Sequence, residues 1–260
     1  MPVGVRLAFL TGNVKSSGRS RLLSELGAGN IDLVIGTHAL FSNGVEYRNL
    51  RMVVIDEQHR FGVLQRSAII EKGASGNPDR LPPHVLMMSA TPIPRTLALS
   101  VFGDLDVSVI RTMPPGRLPV ITHLTRQGNE DNVYSFIRRE LDAGRQAYFV
   151  YPLIDQSDTL SLKSAEEMFV ALRDTIFPGT PIALIHSQVA EDEQRTVMEG
   201  FRSGEIRILV ATSVVEVGVD VANATCMVIE HAERFGLSAL HQLRGRVGRG
   251  TLQSWCFLVY

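Results

Sequence analysis

The residues Val53-Val54-Ile55-Asp56-Glu57-Gln58-His59 form an apolar run that ends in two adjacent carboxylates. At the C-terminal end of a buried parallel strand, such a pair suits phosphoryl transfer. One carboxylate holds Mg²⁺ through water, and its neighbour polarises the attacking water. Far downstream, Gln242-Leu243-Arg244-Gly245-Arg246-Val247-Gly248-Arg249 supplies guanidinium groups of the kind that stabilise developing phosphate charge. Arg246 and Arg249 are three apart, a spacing that predicts a shared face on a helical turn. Chemistry of this kind also needs a G-x-x-x-x-G-K-[ST] loop to cradle the phosphates. The sequence contains none, and its three lysines, Lys15, Lys72 and Lys163, lie in no such loop.

Other polar clusters follow strand-like runs. Ser89-Ala90-Thr91-Pro92 places two hydroxyls where they can hydrogen-bond an acidic loop. Gly36-Thr37-His38 offers backbone N–H groups and a hydroxyl to a nucleic-acid phosphate. Thr212 and Ser213 follow another apolar run and suit a sugar–phosphate backbone, while Gly218 and Asp220, just beyond, suit a nucleotide or an arginine. Each cluster alone also reads as a solvated strand end, a Ser/Thr turn or a basic turn. Their order, each at a strand end, is the stronger signal.

The elements that must position these residues alternate. Strand-like runs fall at Leu7–Leu10, Asp32–Ile35, Met52–Ile55, Val85–Ser89 and Val107–Ile110. A second series runs Val120–Leu124, Gln146–Tyr151, Ile182–His186, Ile206–Ala211, Met227–Glu230 and Trp255–Tyr260. Helical patterns cover Arg19–Leu26, Asn132–Leu141 and Asp192–Phe201, the last with acids in its first turn and Gly204 just beyond. Alternation with continuous apolar strands predicts an α/β fold with parallel sheets. Met113-Pro114-Pro115-Gly116-Arg117 reads as a linker, giving lobes at 1–115 and 116–260, and Gly73–Pro83 reads as an exposed loop. A net charge of −1 does not by itself predict nucleic-acid binding, although it can hide a basic patch. No apolar run approaches the roughly 18 residues of a membrane span. With no signal-peptide pattern at the N-terminus, Cys226 and Cys256 read as reduced core thiols and the setting as cytoplasmic.

Together these motifs resemble those of superfamily 2 nucleic-acid helicases. Asp56–His59 is similar to motif II, Ser89-Ala90-Thr91 to motif III, Ala211–Asp220 to motif V and Gln242–Arg249 to motif VI. The longer matches DEQHRFGV from Asp56, SATPIPRT from Ser89, VEVGVDV from Val215 and HQLRGRVGRG from His241 look like the bacterial RecG branch-migration family. The transcription-repair coupling factors share much of this but carry Glu where this chain has Gln58.

The resemblance implies two RecA-like lobes with mostly parallel sheets, the first N-terminally incomplete. It implies ATP and Mg²⁺ as cofactors and branched double-stranded DNA as partner. Asp56 would bind Mg²⁺, Glu57 would activate water, and Arg246 and Arg249, supported by Gln242, would act as arginine fingers reaching the first lobe. Gln58, His59, Ser89 and Thr91 would couple nucleotide state to motion. Gly36, Thr37, His38, Thr212 and Ser213 would touch DNA, and Gly218 and Asp220 the nucleotide. The missing phosphate loop implies a motor fragment of a longer protein, inactive alone, whose incomplete first lobe is the less stable and self-associates. His186-Ser187-Gln188-Val189 departs from the family's more common His-Gly-x-Met. Two alternatives stay open, a coupling-factor-like translocase and a non-catalytic binding module of helicase fold.

Overall fold

A computed structural model of the chain describes residues 4–12, 16–57, 63–76, 81–89, 106–152, 158–212 and 221–260. The chain forms two compact units, Met1–Pro92 and Ile93–Tyr260. The boundary expected at residues 115/116 therefore lies inside the second unit.

The first unit pairs strands two at a time. β1 (Leu7–Leu10) and β2 (Leu33–Gly36) are parallel and joined through α1 (Ser16–Ala28). β3 (Met52–Ile55) and β4 (His84–Met87) are parallel and joined through α2 (Val63–Gly76). Leu10, Leu26, Val45, Tyr47 and Ile69 form the core, with Val34 and Val53 packed against it, and the strands alternate, sending every second side chain inward. The other set, Leu7, Phe9, Leu33, Ile35, Met52, Val54 and Leu86, is exposed. At the entry to this ladder the Arg6 guanidinium grips Asp32 at 2.7 Å and holds its carboxyl well below the usual carboxylate range.

Two expectations fail here for physical reasons. The stretch from Gly73, expected as an exposed loop, is in its first part the end of α2. Its glycines are there for close packing, since a Cβ on Gly73 would come within 2.8 Å of Pro83 and one on Gly76 within 1.8 Å of the Tyr47 carbonyl. The run Val107–Ile110 forms no strand, and Val107, Val109 and Ile110 are exposed.

The second unit is built on a six-stranded sheet in the order β5 (Ile121–Thr125), β10 (Trp255–Val259), β9 (Ala224–Ile229), β6 (Gln146–Tyr151), β8 (Ile208–Thr212), β7 (Ile182–Ile185). Every pairing is parallel, and β6, β8 and β9 are buried at every residue. Continuous apolar runs therefore sit where both faces are covered. Val133 and Ile137 of α3 (Glu130–Asp142) and Ala165 of α4 (Asp158–Ala171) cover one face. Met198 and Phe201 of α5 (Glu191–Ser203) and Leu243 of α6 (Leu237–Arg244) cover the other. Each large side chain so buried stabilises the unit by about 1.5–3 kcal/mol. Cys226 and Cys256 are buried free thiols pushed up to about 12 by burial, so both are inert.

Candidate functional site

In the first unit, Asp56 and Glu57 stand directly past β3, at the end where parallel α/β sheets bind ligands. The Asp56 Oδ1 accepts the Glu57 N–H at 2.9 Å, and Glu57 has a left-handed backbone with φ 49°. For a residue with a Cβ that conformation costs about 1 kcal/mol and persists where surroundings enforce it, often at functional sites. The Asp56 side chain stays exposed, and Glu57 is half-buried. β3 and β4 are in register at Ile55↔Met87, and the Met88 N–H donates to the Ile55 carbonyl at 2.8 Å. Glu57 and Ser89 thus each lie two residues beyond the same registered pair. Gln58, His59 and Thr91 lie outside the described residues.

Gly36-Thr37-His38 sits at the end of β2 and is exposed throughout. A Cβ on Gly36 would fall 2.0 Å from the Leu10 carbonyl, so β1 and β2 approach too closely for any side chain. The Thr37 N–H donates to that same carbonyl at 3.2 Å, and a short 3-10 turn, His38–Phe41, follows.

In the second unit, α6 ends at Arg244, and the Gly245 N–H closes on the His241 carbonyl at 3.0 Å. Arg246 and Arg249 therefore do not share a helical face as their spacing predicts. Gly248 at φ 74° turns the chain between them, and Val247, fully buried, anchors the loop in the core. Arg249 is exposed with its Nε donating to the Gly245 carbonyl at 3.2 Å, while Arg246 and Gln242 are half-buried.

Thr212 ends β8 fully buried. It does not present itself to a sugar–phosphate backbone as expected. Ser213, Gly218 and Asp220 lie outside the described residues. Thr212 is in register with Tyr151 of β6, and the Glu230 N–H extends the neighbouring ladder to the Val150 carbonyl at 2.9 Å. The Thr212 hydroxyl, the Tyr151 hydroxyl and Glu230 Oε1 are all buried without a hydrogen-bond partner among the described residues. Burial pushes the Glu230 carboxyl up to about 7, helped by the charge of Glu130. Burial and the Glu230 charge likewise raise the phenols of Tyr134 and Tyr151. Of these groups only Thr212 was singled out from sequence; Tyr134, Tyr151 and Glu230 were not.

An exposed carboxylate at a strand end is a hard oxygen donor and fits Mg²⁺, and two arginines on a loop fit phosphate oxygens. Among the described residues no group of three His, Cys, Asp or Glu side chains could hold a metal by itself. None of the described helices is long and apolar enough to cross a membrane.

The model of the family described as "DEAD/DEAH box helicase" matches residues 2–99, and that of "Helicase conserved C-terminal domain" matches residues 131–251. The chain is 62% identical over 259 residues to the ATP-dependent DNA helicase RecG of Treponema pallidum, covering 100% of this chain and 38% of that protein. It is 49% identical to the RecG of Borreliella burgdorferi, covering 37% of it. The solved structure of RecG bound to a three-way DNA junction superposes with a TM-score of 0.71 at 45% identity, covering 99% of this chain and 32% of that one. The chain thus spans less than two fifths of the length of these relatives.

Proposed function

Because the chain belongs to the RecG group of superfamily 2 helicases, with two RecA-like domains, we propose that it supplies motor residues of an ATP-dependent DNA helicase that remodels branched double-stranded DNA. Stalled forks and Holliday junctions in recombination and repair are the substrates of that reading, in a cytoplasmic setting. ATP would supply the γ-phosphoryl group whose transfer to water drives the motor, and Mg²⁺ would supply charge neutralisation there when bound. Asp56 would hold the ion, and Glu57 would take up the proton of the attacking water. Arg246 and Arg249 neutralise phosphate charge, and Gln242 supports them. Gln58, His59, Ser89 and Thr91 link nucleotide state to movement, and Gly218 and Asp220 contact the nucleotide. Gly36, Thr37 and His38 contact the DNA backbone, joined by Ser213.

The observation that carries this reading is the Asp56–Glu57 pair at the end of a parallel strand, in a chain 62% identical to a RecG along its whole length. The test places these 260 residues in the matching segment of the Treponema pallidum relative. The hybrid is expected to hydrolyse ATP with stimulation by a three-way junction. Glu57→Gln, which removes the base, is expected to lower turnover by about 10²–10⁴ while junction binding is kept. The 260-residue chain by itself, which has no phosphate loop, is expected to turn over ATP slowly or not at all. A hybrid without DNA-stimulated hydrolysis, or one that Glu57→Gln leaves active, contradicts the reading.

A further inference from the structure

Pro114-Pro115-Gly116-Arg117, read from sequence as a linker, is instead a built turn. The Arg117 N–H donates to the Pro114 carbonyl at 3.2 Å, and Gly116 has φ 82°, which is a type II turn with proline and glycine at its two central positions. The turn lays residues 117–121 along the loop that carries Arg246 and Arg249. Arg117 Nε donates to the Gly248 carbonyl at 2.8 Å, Gln253 Nε2 donates to the Pro119 carbonyl at 2.8 Å, and the Ile121 N–H donates to the Ser254 carbonyl at 3.0 Å. The contact is close, since a Cβ on Gly248 would come within 2.8 Å of Val120 Cγ2.

The Gly248 carbonyl belongs to the peptide that leads into Arg249. A glycine peptide at φ 74° has little of its own to stop it rotating. Arg117 stops it, because one guanidinium hydrogen bond on that oxygen fixes the peptide plane and with it the direction in which the Arg249 side chain leaves the backbone. Arg117 itself is half-buried, which shields the bond from water.

We propose that Arg117 is a positioning residue: through the Gly248 carbonyl it aims Arg249 at phosphate charge. Arg117 lies in the stretch between the first unit and β5, so the chain segment that enters the second unit also sets its arginine loop. The proposal rests on the functional reading above, in which Arg249 meets the nucleotide.

The test has two arms. In the hybrid helicase, Arg117→Ala is expected to lower kcat for ATP about tenfold while KM changes by less than about twofold, since misaiming a group damages the transition state more than ground-state binding. Arg117→Lys, which still offers one charged donor, is expected to recover most of kcat. In the 260-residue chain, amide relaxation is expected to show Gly248 and Arg249 falling from a rigid order parameter of about 0.85 toward about 0.6 in Arg117→Ala and staying rigid in Arg117→Lys. Unchanged kcat and unchanged order in Arg117→Ala overturn the proposal. So does an equal loss in both variants with the same fall in Tm, which marks a merely structural role. If Arg117→Ala does not fold, Arg117→Gln, with a shorter neutral donor, must lower kcat and the order of Gly248 and Arg249 further below the wild type than Arg117→Lys does, and unchanged values in Arg117→Gln overturn the proposal. A wild-type hybrid without ATPase activity sinks the functional reading, while the relaxation arm still decides whether Arg117 holds the loop.

Discussion

Two strand ends in this chain have nearly the same local sequence, Met52-Val53-Val54-Ile55-Asp56 and Cys226-Met227-Val228-Ile229-Glu230. One delivers an exposed carboxylate and the other buries it, with Glu230 only 5% exposed. Local sequence cannot separate the two, because the difference is the cover that α3 and its neighbours lay over β9. That is why Asp56 was legible as a site residue and Glu230 was not. The buried carboxyl has a stability signature. Its folded value of about 7 lies above an unfolded value near 4.5, so the folded state holds the proton more tightly. The stabilisation is fully present below about pH 4.5 and is lost as pH rises through about 7. The difference corresponds to about 3 kcal/mol. Urea titrations at pH 5 and pH 8 are expected to show this loss in the wild type, and Glu230→Gln is expected to be nearly flat over the same window. A slope that Glu230→Gln leaves intact would mean that other groups carry it.

At the scale of elements, punctuation decided what could be read. α3 and α5 carry acids in their first turns and a glycine beyond their ends, and both were visible. α2 was not, because Gly73, Gly76 and the nearby Pro83 carry the composition of a loop while serving as contact surfaces. Helix α6 was missed as an element although its Gln242 was found, since eight residues give little periodicity. The arginine loop was misread as helical because spacing reports separation along the chain and not the φ of Gly248. Close approach yields a direct prediction. Gly76→Ala puts a methyl where the Tyr47 carbonyl already sits, at 1.8 Å, and backbone cannot step aside as a flexible side chain can. Thermal unfolding is expected to show the first unit losing about 2–4 kcal/mol or more, with the second unit's transition unmoved. A variant that melts like the wild type would show that α2 docks elsewhere.

For the whole molecule, the two units differ in how completely they cover their sheets. The second unit buries three central strands outright, whereas the first leaves Phe9, Leu33, Met52 and Val54 about half exposed or more. We expect the first unit to melt first and the chain to self-associate through that apolar surface, with a light-scattering mass that rises with concentration. Phe9→Ser with Val54→Ser is expected to return the mass toward 28.6 kDa. A wild-type chain that stays monomeric at high concentration would remove the idea. The sheet order of the second unit carries one more consequence. β10 lies between β5 and β9, and its Trp255 pairs with Ile121, so β5 can join the sheet only through a strand 134 positions later in the chain (255 − 121). On a ribosome, where chain emerges at roughly 5–20 residues per second, β5 therefore waits several seconds or more with no partner for its backbone. Among the described strands, the one that ties β5 into the sheet is thus made long after β5 itself.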